Sequence, residues 1–272
     1  MYELFGRKFF VYLWVSKSKH TLKLQNMNNT IILFYSQTGI TKAVAEDMQK
    51  ELGCDIAEIE AVEPYGTDFD ATIKRWQKEL EEHTKVAIKP LDVDLAKYDT
   101  IFLGFPVWGG IYPPTVTTFL ADNSLAGKKI VVFVTFGSGG LESSAAAVAG
   151  AQPEATVIPG YGLRDTRLKR APEEIQRFLI EGGYIKGEIA PLPEFSASVP
   201  VDAATTEIFD KACGNYPFPL GTPVAVAERD IPTGKEYKFD VVTRSPEGVE
   251  GKAIIYVNVE GDAAPEFTKV VR

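Results

Sequence analysis

Short unbroken apolar runs alternate along this chain with longer stretches in which apolar residues recur every three or four positions. Ile31-Ile32-Leu33-Phe34-Tyr35 is the first run. Apolar residues at consecutive positions predict a strand covered on both faces, as in a parallel sheet. Val44, Met48 and Leu52 follow at helical spacing, and Gly53 supplies the stop. Residues 54–59 predict a short second strand through Ile56 and Ile59. Phe69, Ile73, Trp76 and Leu80 then share one helix face behind the cap residues Thr67 and Asp68, which makes Trp76 a helix–sheet packing residue. Residues 100–105 and 129–135 predict the third and fourth strands, with Val116, Phe119 and Leu120 marking a helix between them. A fifth strand is predicted at 155–158, and a fifth helix at 171–181 through Ile175, Phe178 and Leu179. Five strand–helix alternations predict an α/β doubly wound parallel sheet.

The pattern changes after residue 186. Residues 187–201 are rich in Pro, Ser and Ala without a period and predict a linker. A short helix is expected at 202–213, then apolar runs at 223–227, 236–243, 252–259 and 265–271, separated by Pro232-Thr233-Gly234 and Pro246-Glu247-Gly248. Tyr237, Phe239 and Val241 alternate with polar residues, and Ala253, Ile255, Val257 and Val259 share a face. Residues 202–272 therefore predict a small antiparallel β module. At the other end, residues 1–26 carry a local charge of about +4 and an apolar patch from Phe9 to Val15. Ser16-Lys17-Ser18-Lys19 follows where a signal peptide would have small residues for cleavage. The segment is expected to be a leader of doubtful status, with Met27 the natural start.

Candidate chemistry lies at the carboxyl ends of the apolar runs. The first strand runs into Ser36-Gln37-Thr38-Gly39-Ile40-Thr41. Three hydroxyls meet the start of a helix, whose first N–H groups lack intrahelical partners and carry partial positive charge. Gly39 permits close approach of a ligand to the backbone. With no Lys or Arg inside the turn, a bound phosphate would be held by hydroxyls, amides and the helix dipole. Neither G-x-x-x-x-G-K-[ST] nor G-x-G-x-x-G occurs at this strand end. An ordinary capped turn would also fit these six residues, but two later loops add to them. The third strand ends in Pro106-Val107-Trp108-Gly109-Gly110-Ile111-Tyr112, followed by Pro113 and Pro114 at a helix start. Here an aromatic wall and pliable backbone suit a planar ring system. The fourth strand ends in Thr135-Phe136-Gly137-Ser138-Gly139-Gly140, whose glycines can present amides to a ring edge.

In that order, the three loops resemble those of flavodoxins, especially short-chain bacterial ones with a T-F-G-S-G-G second flavin loop. The resemblance covers roughly residues 28–186 and implies strand order 2-1-3-4-5. It also implies FMN as cofactor, with its phosphate at Ser36 to Thr41. Its isoalloxazine would lie between the Pro106–Tyr112 and Thr135–Gly140 loops, stacked on Trp108, while a peptide near Gly109 flips to hydrogen-bond the semiquinone. The implied function is electron transfer through semiquinone and hydroquinone. The alternative is an NAD(P)H-dependent flavin or quinone oxidoreductase, although the G-S-x-R-x-x-S loop common among such enzymes is absent. The β module lies outside the resemblance and contains no recognisable chemistry. Shielding the flavin edge, docking a partner and dimerising are its open roles, and residues 27–186 are expected to hold FMN alone.

Composition narrows the partners. A net charge of −8 argues against nucleic acid and suits a basic-surfaced redox partner. No run approaches the length of a membrane span, so a cytoplasmic location is expected. Cys54 and Cys213 are too few for a disulfide framework and are expected to be reduced. His20 and His83, the only histidines, exclude a His-rich metal centre, and no metal site is expected.

Overall fold

The computed structural model describes residues 29–216, 219–245 and 248–272. The leader 1–26 and His20 lie outside the described residues, as do Pro246 and Glu247 of the last expected turn. Strands β1 (Thr30–Phe34), β2 (Asp55–Glu58), β3 (Thr100–Pro106), β4 (Lys129–Phe136) and β5 (Thr156–Arg164) form a parallel sheet in the order β2-β1-β3-β4-β5. Successive side chains point to opposite faces, which is why an unbroken apolar run is needed. Ile32, Phe34, Phe102 and Phe133 pack on one face with α1 (Ile40–Leu52) and α5 (Ala171–Glu181). Ile31, Leu33, Leu103 and Val132 pack on the other with α3 (Pro114–Asp122) and α4 (Leu141–Ala151).

Two expectations need correction. Strand β5 runs six residues past the predicted 155–158 run, although Pro159, Gly160 and Gly162 resemble a turn. The register with β4 steps from Val132↔Pro159 to Phe133↔Tyr161, leaving Gly160 as a bulge that lets the strand continue. On α2 (Phe69–Glu81), the apolar face expected to be buried is not: Phe69 is 74% exposed, Leu80 is 53% exposed, and Thr72 is the buried residue. Polar anchoring overrides the apolar periodicity. The Thr72 hydroxyl donates to the Asp68 carbonyl at 2.8 Å and accepts from Gln37 Nε2 at 2.8 Å, while the Asp68 side chain caps Ala71 N–H at 2.7 Å.

The second unit is a five-stranded antiparallel sheet in the order β10-β9-β8-β7-β6. Its strands are β6 (Val199–Pro200), β7 (Thr222–Ile231), β8 (Gly234–Arg244), β9 (Glu250–Glu260) and β10 (Glu266–Val271). Tyr237, Phe239, Val241, Ile255, Val257 and Phe267 form the buried face, closed by Phe209 and Cys213 of α6 (Ala203–Cys213). Asp202 and Thr205 start α6 with a reciprocal capping box. Within residues 187–201, Ser196 N–H bonds Glu228 O at 2.8 Å and residues 199–200 pair with β7. The end of the expected linker is thus part of the sheet. Both cysteines are free and buried, and burial pushes the Cys54 thiol up to about 11 and the Cys213 thiol up to about 12. Among the described residues, no helix is long and apolar enough to cross a membrane and no acidic, His or Cys cluster could hold a metal.

Candidate functional site

The three candidate loops leave the carboxyl ends of β1, β3 and β4, which are consecutive in the sheet. Chain order reverses between β1 and β3, and ligands of open α/β sheets bind at such a switch point.

In the first loop, Gly39 is the N-cap of α1 at φ +90°, and a Cβ there would meet nothing within 4 Å. The glycine therefore serves backbone conformation and leaves open space before the helix. Ser36 Oγ accepts from Gly39 N–H at 3.1 Å and Lys42 N–H at 3.2 Å. Its own proton remains for a further acceptor. Thr38 is exposed and Ile40 half-buried. Thr41 is 2% exposed, with its Oγ1 2.7 Å from Thr135 Oγ1, so it ties the start of α1 to the end of β4. Gln37 points toward α2, where its amide donates to Gly66 O at 2.6 Å and to Thr72. Lys42, just beyond the turn, pairs with Glu58 at 3.2 Å. The donors here are hydroxyls, first-turn amides and the helix dipole, a set that fits a phosphate ester.

The second loop is a tight hairpin. Trp108 N–H donates to Ile111 O at 2.9 Å and Ile111 N–H to Trp108 O at 3.2 Å. Gly109 (φ +57°) and Gly110 (φ +93°) occupy its two central positions, as a type I′ turn requires. Because a Cβ at Gly110 would meet open space, Gly110→Ala acts on the backbone alone. It should destabilise the observed turn by about 1 kcal/mol and favour the reversed Gly109–Gly110 peptide, which needs negative φ at residue 110. Comparing unfolding and the NMR shifts of both amides in the two proteins checks this; unchanged stability and shifts would contradict it.

Trp108 is half-buried and meets Tyr65 edge-on at 4.9 Å, with Tyr35 at 6.2 Å and Trp76 at 6.4 Å. The expectation that Trp76 packs between helix and sheet is corrected, since it is half-exposed and a Cβ on Gly109 would lie 2.6 Å from its ring. The reason is the polar anchoring of α2, which directs this helix face toward the loop. Tyr112 packs edge-on against Phe105 at 5.9 Å. Burial holds the Tyr35 and Tyr65 phenols far above their usual value, and Tyr65 also donates to Glu79.

The third loop is tied to the second. Val107 N–H donates to Thr135 O at 2.9 Å, and Ser143 Oγ donates to Gly110 O at 2.6 Å. Gly140, the N-cap of α4 at φ +118°, lies where a Cβ would approach Val107 to 2.8 Å. Between the loops is a cavity of about 510 Å³ that Phe69, Val107, Gly110, Gly139, Tyr216 and Arg272 help to line. Phe136, Gly137 and Ser138 border it too, while Pro106, Trp108, Tyr112 and the 36–41 turn are not among its lining residues. Sequence reading missed Phe69, Ser143, Tyr216 and Arg272. Phe69 was masked by its helical spacing, and nothing local marks the other three.

A flavodoxin family model matches residues 29–176. No curated relative matches the chain. Among solved structures, a protein classed as a flavoprotein from Bacteroides uniformis ATCC 8492 is 24% identical, covering 55% of this chain and 98% of its own with a TM-score of 0.49. A Lactobacillus acidophilus NCFM flavoprotein, solved in complex with FMN, is 23% identical, covering 56% of this chain and 98% of its own with a TM-score of 0.44. The sequence match runs from the threshold of β1 into α5, through all three loops, and by it the chain belongs to the flavodoxin family.

Proposed function

We propose that the α/β domain binds FMN noncovalently and carries electrons one at a time between protein partners. The observation that carries this reading is the 36–41 turn, where an accepting Ser36, an exposed Thr38 and an open Gly39 N-cap form a cation-free phosphate site. Family membership and the two glycine loops beside the turn support it. Bound FMN supplies the redox chemistry, while the protein supplies binding, orientation and electrostatics. Ser36 and Thr38 donate to the phosphate, and the Thr41–Thr135 contact fixes the turn against β4. The Gly109–Gly110 turn offers a peptide to the ring edge, and Ser143 restrains the Gly110 carbonyl. The net charge of −8 favours a basic docking partner.

Thr38→Ala tests the phosphate assignment. A hydrogen bond to a charged group contributes about 1.5–3 kcal/mol, so FMN affinity should fall about tenfold to a hundredfold. Riboflavin affinity should stay unchanged, and equal losses for both flavins would refute the assignment. Stepwise reduction of the holoprotein should pass through a spectrally distinct one-electron stage. Rapid oxidation of NADPH or NADH without that stage would replace the carrier with a reductase.

A further inference from the structure

The β module is not remote from the loops. Val270 N–H of β10 donates to Ser138 O at 2.6 Å, within the glycine loop. A Cβ on Gly139 would run into the Val270 carbonyl, so this approach requires glycine. Arg164, at the end of β5, bridges the two units by donating to Gly137 O at 3.0 Å and Phe267 O at 2.9 Å. Behind it, Arg167 is 5% exposed and pairs with Glu174 of α5 at 2.6 Å, Glu266 of β10 at 2.6 Å and Glu260 of β9 at 3.8 Å. Glu260 also pairs with Arg170.

The placement matters because Gly137-Ser138-Gly139-Gly140 has no large side chain with which to cover a planar ring. The cavity beside that loop instead takes large side chains from elsewhere. Phe69 comes from α2, while Tyr216 and the Val270–Arg272 segment come from the module. Tyr216 packs edge-on against Phe267 at 5.3 Å, and its hydroxyl lies 3.8 Å from the position of a Gly137 Cβ.

We propose that the β module is a working wall of the flavin site, with Tyr216 and Arg272 closing the isoalloxazine side of the cavity where the glycine loop leaves it bare. This rests on the FMN reading above and goes beyond it, since it makes residues 202–272 part of the cofactor site. It also reverses the expectation that residues 27–186 are self-sufficient. Tyr216 contributes apolar ring surface and excludes water. Arg272 brings a cation to a cavity whose other charged lining residue is Glu142, and reduction of the ring adds negative charge that this cation offsets.

The test uses the full-length holoprotein with Tyr216→Ala and Arg272→Gln, each measured with FMN and with riboflavin. Tyr216→Ala should weaken both flavins equally, by about tenfold, and should make flavin fluorescence more accessible to iodide. Arg272→Gln should lower the midpoint potential for full reduction with little loss of affinity for oxidised flavin. This pattern is opposite to that of Thr38→Ala, which should affect FMN alone. If Thr38→Ala acts as expected while both module variants match the parent in affinity, quenching and potential, the wall is refuted and the FMN reading stands. If the parent protein binds neither flavin, both fall. Arg272 is exposed, so its variant reports even if Tyr216→Ala fails to fold.

Discussion

Arg167→Ala should destabilise the protein by about 3 kcal/mol, the lower end of the cost of breaking a buried pair, because Glu260 is nearly buried while Glu174 and Glu266 keep about a third of their surface in water. The guanidinium meets Glu174 of the α/β domain and Glu260 and Glu266 of the module, with only 4% of its side chain accessible. Removing it leaves Glu266 without its cation, Glu174 with the Tyr161 hydroxyl at 3.1 Å and Glu260 with Arg170. The loss should appear as a lower urea midpoint and as faster proteolysis between residues 187 and 198. Arg167→Lys should recover less than half, because one ammonium cannot reproduce a planar fork that reaches several carboxylates. A loss below about 1 kcal/mol would show that these contacts behave as ordinary surface pairs and that the module is held by its backbone contacts alone.

Gly104→Ala should cost about 3 kcal/mol, the upper end of the usual penalty for overpacking. A Cβ at this position in β3 would land in the Phe133 ring, and Phe133 is fully buried. Gly104 and Phe133 are register partners in adjacent strands, directly below the second and third loops. The sharper form of the prediction is a reversal of sign. Phe133→Leu should destabilise the parent protein by opening a cavity, yet stabilise the Gly104→Ala variant by making room. Urea unfolding of the two single variants and the double variant measures that coupling. Additive effects would show that the sheet relaxes around the extra methyl, and that Gly104 is not there to accommodate the ring.

Both predictions concern contacts that join distant segments, and this is where sequence reading reached its limit. The basic run Arg164, Arg167, Lys169 and Arg170 is unusual just before a helix N-terminus, where cations are disfavoured. Arg167 and Arg170 do have acidic partners, but the oddity could not name Glu260 and Glu266, which lie 93 and 99 residues from Arg167. The pocket shows the same limit. Its glycine loops were legible because turn chemistry is local, while Tyr216 and Arg272 sit among residues with no motif of their own.

The sequence by itself determined the alternation of strands and helices, the three loops at the strand ends and the cation-free, hydroxyl-rich turn that opens α1. Each depends on properties that act over a few residues: apolar periodicity, glycine conformation and unpaired amides at a helix start. The tertiary structure decided that α2 is anchored through Thr72 and Gln37, which leaves Phe69 and Trp76 beside the loops. It also decided that β10 docks on Ser138 and that buried Arg167 ties the two units together. The reason is physical. Periodicity records which side chains avoid water, but the partner of a polar or charged group is chosen by the folded backbone that brings distant residues within a few ångströms.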